Sequence, residues 1–245
     1  CGGMDTVRRL LDRGVGAVVR SGIRAYYGQH YYSPRVHPHA AMLDDALAET
    51  VAYIKANMTT ATVCDDAFDV LNFASRQMPR EGLVLEFGVR TGSTVNHLAR
   101  LKRKRTIYGF DSFEGLPERW AGWTLDKGAF RGDGIPDVAE NVELVVGWFD
   151  DTLPPFLDSH PEPVALVHVD SDIYSSARTI LTNLAPRIRP GTIIVFNEYY
   201  NYPNWQQHEF KAFQEYCSEH GVRYEYLCWG MYEVAVKILS IDSGD

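Results

Sequence analysis

The stretch that decides the fold is Leu83-Val84-Leu85-Glu86-Phe87-Gly88-Val89-Arg90-Thr91-Gly92-Ser93-Thr94. Its first half is an apolar run of the kind that becomes a short buried strand. Its second half is a turn with glycines at Gly88 and Gly92, followed by a helical run to Leu101. A glycine turn between a buried strand and a helix lets a ligand lie against bare backbone near the helix N-terminus. About twenty residues on, Thr106-Ile107-Tyr108-Gly109-Phe110 reads as a second strand, ending in Asp111, where this architecture usually anchors a ribose. The spacing is Gly-x-x-x-Gly, not the dinucleotide Gly-x-Gly-x-x-Gly. Glu86 stands inside the turn, where it would repel a pyrophosphate. An acid there suits a cationic group, such as the amino group of S-adenosylmethionine (SAM), and the turn reads as a SAM pocket.

Outward from this turn, apolar runs at 83–87, 106–110, 142–147, 164–170 and 192–197 alternate with helical stretches near 93–102, 152–158, 174–186 and 205–220. That alternation predicts an α/β fold, a mostly parallel sheet with helices on both faces. Residues 223–229 and 231–239 read as a hairpin turning at Gly230, which adds one antiparallel strand and brings the expected sheet to seven strands. Residues 114–141 form a long insertion rich in Gly, Pro and Trp, and a loop of that length in a compact domain is more often functional than idle. Upstream, 41–57 carries Leu43, Leu47, Val51 and Ile54 on one helical stripe, and 62–77 reads as a helix whose first acids, Asp65 and Asp66, suit an N-terminus. Residues 5–24 read as a basic helix packed on the domain or on a second subunit. Residues 25–40, aromatic and irregular, read as a flap near the site, with His37 and His39 too isolated to be expected as metal ligands. The expected division is an N-terminal helical extension and flap over 1–60 and the α/β domain over 61–245.

With 245 residues and 45% hydrophobic content, the chain can fill one large core. Its net charge of −8 argues against nucleic acid as a partner. No apolar run approaches a membrane span, and no secretory signal is visible. Four cysteines without Cys-x-x-Cys spacing fit reduced thiols in a cytoplasmic protein. Met4 reads as a natural start, preceded by Cys1-Gly2-Gly3.

A second constellation lies downstream. Ala165-Leu166-Val167-His168-Val169-Asp170-Ser171-Asp172 is an apolar strand that delivers two acids at its C-terminal end, the edge where open α/β sheets bind ligands. Residues two apart on a strand share a face, so both carboxylates can look into one cleft. The next strand, Thr192 to Phe196, delivers Asn197 and Glu198 to the same edge. Asp170, Asn197 and Glu198 make a hard, all-oxygen set suited to Mg²⁺. His208, at the start of a helix whose core face is Phe210, Phe213 and Cys217, is a candidate base, as is Asp172.

These residues resemble a known family. Leu85-Glu86-Phe87-Gly88-Val89, Gly109-Phe110-Asp111-Ser112-Phe113-Glu114-Gly115-Leu116-Pro117, Gly147-Trp148-Phe149-Asp150-Asp151-Thr152-Leu153-Pro154, His168-Val169-Asp170-Ser171-Asp172-Ile173-Tyr174-Ser175-Ser176, and Glu198-Tyr199 through His208-Glu209-Phe210 are similar, in order, to the macrocin O-methyltransferase (TylF-like) family. The resemblance covers about residues 60–220. It implies a Rossmann-like class I methyltransferase fold, SAM as methyl donor, a hydroxyl of a sugar or aromatic natural product as small-molecule acceptor, Mg²⁺, and an oligomer, here expected to be a homodimer. Carried onto this chain, it implies a cofactor site of Glu86, Gly88, Gly92, Ser93, Asp111, Ser112, Trp148, Phe149 and Asp170. Asp111 would hold the ribose, and Trp148 and Phe149 the adenine. Asp170 would be the first metal ligand, and Asp172 or His208 the base. The chain departs from the family at Asn197-Glu198, where two acids are usual, so the metal set carries one charge fewer. Three other readings use the same residues: a metal-independent methyltransferase working through His208 or Asp172, a glycosyltransferase holding a metal–nucleotide-sugar at Asp170-Ser171-Asp172, and a non-catalytic SAM-binding protein.

Overall fold

The strands at 83–87, 164–169 and 193–196 are buried along their whole length and, but for Glu86 and His168, apolar, as a parallel sheet covered on both faces requires. A computed structural model describes residues 37–132 and 134–242. The expected basic helix at 5–24 and most of the flap at 25–40 lie outside the described residues. In chain order the elements are α1 (Pro38–Asn57), β1 (Thr62–Val63), α2 (Ala67–Gln77), β2 (Leu83–Phe87), α3 (Ser93–Leu101), β3 (Ile107–Asp111), β4 (Val142–Val146), α4 (Phe149–Ser159), β5 (Val164–Val169), α5 (Tyr174–Leu184), β6 (Ile193–Phe196), α6 (Glu209–Glu219), β7 (Val222–Trp229) and β8 (Val234–Ile241). They form one sheet in the order β1-β7-β8-β6-β5-β2-β3-β4. All neighbours are parallel except β8, which runs antiparallel to β6 and β7. This is the expected Rossmann-like architecture with one antiparallel strand.

The sheet has eight strands rather than seven. The extra one is Thr62–Val63, parallel to β7, taken from the front of a segment expected to be wholly helical. The helix begins only at Ala67, because Asp66 is extended and its carboxylate accepts the Asp69 N–H at 2.9 Å as an N-cap. The acids expected at a helix N-terminus are therefore there, one turn later than the helix was placed.

The chain runs from β2 outward through β3 to β4, then returns to β5 on the other side of β2. That reversal puts the topological switch between β2 and β5, and ligands of such sheets bind beyond the strand ends there. Leu85, Phe87, Val167, Val169, Ile194 and Phe196 bury the strands on both sides of the switch. No helix among the described residues is long and apolar enough to cross a membrane.

Helix α1 is held differently from its sequence pattern. Ala40, Ala46 and Thr50 are its buried residues, whereas Leu47 is 51% and Val51 40% exposed. Small residues let this helix approach the body of the protein closely, and Tyr53 anchors it, its hydroxyl 2.6 Å from that of Tyr226. Ile54 alone of the expected stripe packs on the main core.

Candidate active site

At the end of β2 the chain must turn sharply without a side chain at Gly88. Its φ is +93°, and a Cβ there would stand 1.8 Å from the Asp170 carbonyl oxygen. The turn is closed by Asp111. One carboxylate oxygen accepts the N–H groups of Val89 (2.8 Å) and Arg90 (2.7 Å), and the other accepts that of Phe113 (2.7 Å). Arg90 and Phe113 both have positive φ, +48° and +57°, a conformation costly for residues with a Cβ. Asp111 therefore fixes two strained loops as well as presenting itself at the expected ribose position. Its second oxygen keeps a free lone pair for a ligand hydroxyl.

Beyond this turn opens a cavity of about 550 Å³. Gly88, Asp111, Ser112, Trp148, Phe149 and Asp170 line it, six of the nine expected cofactor residues. Glu86, Gly92 and Ser93 do not. Glu86 sits behind the turn and is fully buried. One carboxylate oxygen accepts the Thr94 hydroxyl at 2.8 Å, and the other faces His168 Nδ1 at 3.0 Å. Glu86 and His168 are register partners on β2 and β5, so the acid expected to meet a cationic ligand meets a core histidine instead. Burial alone would lower the His168 pKa, but the bond to Glu86, together with Asp170 and Glu209 nearby, holds it above its usual value. The pairing with Glu86 favours the protonated ring behind the acidic end of β5. Gly92 caps α3 from a left-handed conformation (φ +78°) and is buried, while Ser93 points to solvent.

The same cavity is lined at its other end by Asp170, Asp172, Asn197 and Glu198. Carboxylate oxygens of Asp170, Asp172 and Glu198 lie within 4.8 Å of one another. The expected oxygen set was Asp170, Asn197 and Glu198. In the structure Asn197 also lines the cavity, donating Nδ2–H to Glu198 Oε1 at 2.7 Å and keeping its carbonyl oxygen as an acceptor, and Asp172 adds a third carboxylate. A left-handed backbone at Asp172 (φ +64°) swings it into the cluster. Burial and the neighbouring acids raise the Asp170 pKa to about 6, and those of Asp172 and Glu198 well above the carboxylate range. Glu198 Oε2 is buried without a hydrogen-bond donor. A hard divalent cation would meet that orphaned oxygen and neutralise three crowded acids, so the residues present fit Mg²⁺. His37 and His39 are not part of any candidate metal group among the described residues.

His208 is not in this cavity. Its Nε2 donates to the Ala121 carbonyl at 2.8 Å, and its Nδ1 is buried. Burial lowers its pKa, so the ring is neutral near pH 7. It pins the long insertion rather than facing a substrate. The insertion is ordered around it: Trp120 stands over His208 and Tyr202, and Glu118 accepts the Ser175 hydroxyl at 2.6 Å. Leu116, Pro117, Trp120 and Phe130 form the cavity wall, and the Arg90 guanidinium lies over Phe130, 4.8 Å from its centroid.

Sequence reasoning gave Glu209 no role beyond its place in a motif. This first residue of α6 is fully buried. One of its oxygens accepts the Ser171 N–H (3.2 Å) and the other the Glu198 N–H (3.1 Å). Burial raises its pKa to about 8 despite these two bonds. A usable signal was available in the pattern: an acid next to His208, at a helix start, where carboxylates find free N–H groups.

Residues 85–199 match the family model described as a methyltransferase domain. The chain is 30% identical over 143 residues to the 8-demethyl-8-(2,3-dimethoxy-alpha-L-rhamnosyl)-tetracenomycin-C 4'-O-methyltransferase of Streptomyces olivaceus, covering 48% of this chain and 53% of that one. It is 29% identical over 170 residues to the mycinamicin III 3''-O-methyltransferase of Micromonospora griseorubida, covering 58% and 62%. The chain thus spans little more than half the length of these relatives. Among solved structures, CalS11, a calicheamicin methyltransferase, superposes with a TM-score of 0.57 at 25% identity, over 72% of this chain and 79% of that one. The strand order, the switch-point cavity and these similarities together establish the Rossmann-like methyltransferase fold for this chain.

Proposed function

We propose that the chain is a SAM-dependent O-methyltransferase acting on a hydroxyl of a small natural product, with a sugar or aromatic ring as acceptor, and that it is a macrocin O-methyltransferase-like (TylF-like) enzyme assisted by Mg²⁺. The observation that carries this reading is the single cavity that joins Asp111 and the Gly88 turn at one end to the three-carboxylate cluster at the other. The relatives that act on sugar hydroxyls support the acceptor class.

In this reading Asp111 receives a ribose hydroxyl on its remaining lone pair, and Trp148 and Phe149 flank the adenine. SAM, when bound, supplies an activated methyl group. Asp170, Asp172 and Glu198 would hold Mg²⁺, whose chemistry would be to lower the pKa of an acceptor hydroxyl and fix its oxygen. Asn197 keeps Glu198 oriented, which accounts for an amide where the family usually has an acid. With His208 tied to Ala121, the proton of the acceptor hydroxyl passes to a cavity carboxylate. Asp172, through the oxygen it would not give the ion, is the better placed, because Glu198 Oε1 is occupied by Asn197. The insertion walls, Trp120 and Phe130, shed water from the acceptor and orient its ring, and much of the rate comes from that positioning.

The test is incubation with SAM, Mg²⁺ and a panel of glycosides and catechols, reading S-adenosylhomocysteine (SAH) formation and methylated product by mass spectrometry. The reading predicts turnover of at least one acceptor, suppression by EDTA, and loss of turnover in Asp170→Ala with SAH still bound. A protein that binds no SAH, or an Asp170→Ala variant as active as wild type, contradicts it.

A further inference from the structure

We propose that Glu209 is the positioning residue of the carboxylate cluster: it clamps the two loops that carry the cluster to each other through their backbones. The inference rests on the metal reading above for its consequence, but not for its geometry. Asp170 and Asp172 come from the loop after β5, and Glu198 from the loop after β6. These loops share a strand-to-strand hydrogen bond only at their base, where the Asn197 N–H meets the Val169 carbonyl at 2.9 Å. Above that point the two loops leave the sheet, and carboxylate oxygens of the three acids crowd within 4.8 Å of one another. Glu209 reaches between them from the start of α6. It accepts the N–H of Ser171, which stands between the two aspartates, and the N–H of Glu198 itself.

Three features separate this from ordinary core packing. Both oxygens are used, one on each loop, so the contact is a bridge rather than a cap. The donors are backbone groups, so Glu209 fixes where the acidic side chains begin while leaving their oxygens to face the cavity. The neighbouring side chain, His208, ties the insertion at Ala121, and Gln206 donates to Glu49 of α1 at 2.6 Å. One short segment therefore sets the places of α1, the insertion and both cluster loops. A carboxyl group is required at 209 because it places an oxygen, with a lone pair to accept, toward each of the two donors. A glutamine has the same shape but presents an amide N–H₂ to one of the two donors. Leaving a buried N–H unpaired releases that loop.

The experiment uses full-length wild type, Glu209→Gln and Glu209→Ala, each saturated with SAH. Amide hydrogen exchange, followed on peptides spanning 168–173 and 196–200 in metal-free protein, reads the clamp directly. The proposal predicts that exchange at Ser171 and Glu198 rises at least tenfold in both variants, with the β2 and β3 peptides unchanged. Calorimetric Mg²⁺ titration of the same samples is predicted to show at least tenfold weaker binding in Glu209→Gln, with SAH affinity within twofold of wild type. Unchanged protection at Ser171 and Glu198 overturns the clamp whether or not metal binds. Lost protection with unchanged Mg²⁺ affinity in Glu209→Gln overturns its positioning role. Absence of Mg²⁺ binding in wild type itself would count against the metal reading and leave the exchange result to decide the clamp.

Discussion

Asp111→Asn isolates the part of the cofactor turn that the structure makes most specific. The carboxylate holds three backbone N–H groups at 2.7–2.8 Å. Asparagine keeps one acceptor oxygen and turns an N–H₂ toward the rest. If its oxygen stays on Val89 and Arg90, the Phe113 N–H loses its partner; if it flips, two donors lose theirs. The smaller loss is one hydrogen bond to a charged acceptor, about 1.5–3 kcal/mol. It is also the least that frees a positive-φ residue to relax, Phe113 in one case and Arg90 in the other. If the whole of that loss appears in ligand affinity, the dissociation constant for SAH rises about tenfold to about 150-fold. If the loss falls instead on the ligand-free protein, it lowers the melting temperature of a chain this size by roughly 3–12 °C. Calorimetry with SAH and a thermal melt of the ligand-free protein read the two effects separately. An Asp111→Asn protein that binds SAH within twofold of wild type and melts at the same temperature would refute the assignment of this residue as the keystone of the turn.

Two further outcomes follow, one from the acidic end of the cavity and one from the contact that holds the insertion. Asp170 has its pKa raised from 3.8 to about 6, mainly by burial. A carboxyl raised on folding stabilises fully below its unfolded pKa, and that contribution is lost as pH rises through the folded value. Metal-free protein should therefore lose of order 3 kcal/mol from Asp170 between about pH 4 and pH 7. Mg²⁺ should raise the melting temperature more at pH 8 than at pH 5.5, and an equal increment at both would contradict the cluster electrostatics. His208→Ala should unpin the insertion at Ala121, raising the acceptor KM several-fold while kcat falls less than tenfold; a kcat loss above a thousandfold in steady-state assays would restore His208 as the base.

What the sequence makes legible here is whatever is local. The buried run Leu83–Phe87, the obligatory Gly88, the acid at the tip of β3 and the aspartates after β5 each announce themselves within ten residues, and each stands where expected. Long-range pairing is not legible in that way. Glu86 looks free in its turn until β5 brings His168 alongside, 82 positions away. The bond from the Asn197 amide nitrogen to the very next side chain is not announced by the sequence, and Asp172 enters the cluster only through a left-handed φ. His208 and Glu209 exchange apparent importance because their partners, Ala121 and the Ser171 and Glu198 amides, lie on other loops. Helix α1 misleads for a simpler reason: its apolar stripe is real, but close packing favours the face of Ala40, Ala46 and Thr50.

The account stands most directly on one calorimetric series: SAH titrated into metal-stripped protein, then Mg²⁺ titrated into the saturated complex, in wild type and in Asp172→Asn. The prediction is one SAH per chain in both proteins, followed by saturable Mg²⁺ binding in wild type that is at least tenfold weaker in the variant. A wild-type protein that takes no SAH would contradict the central claim that this cavity is a SAM site.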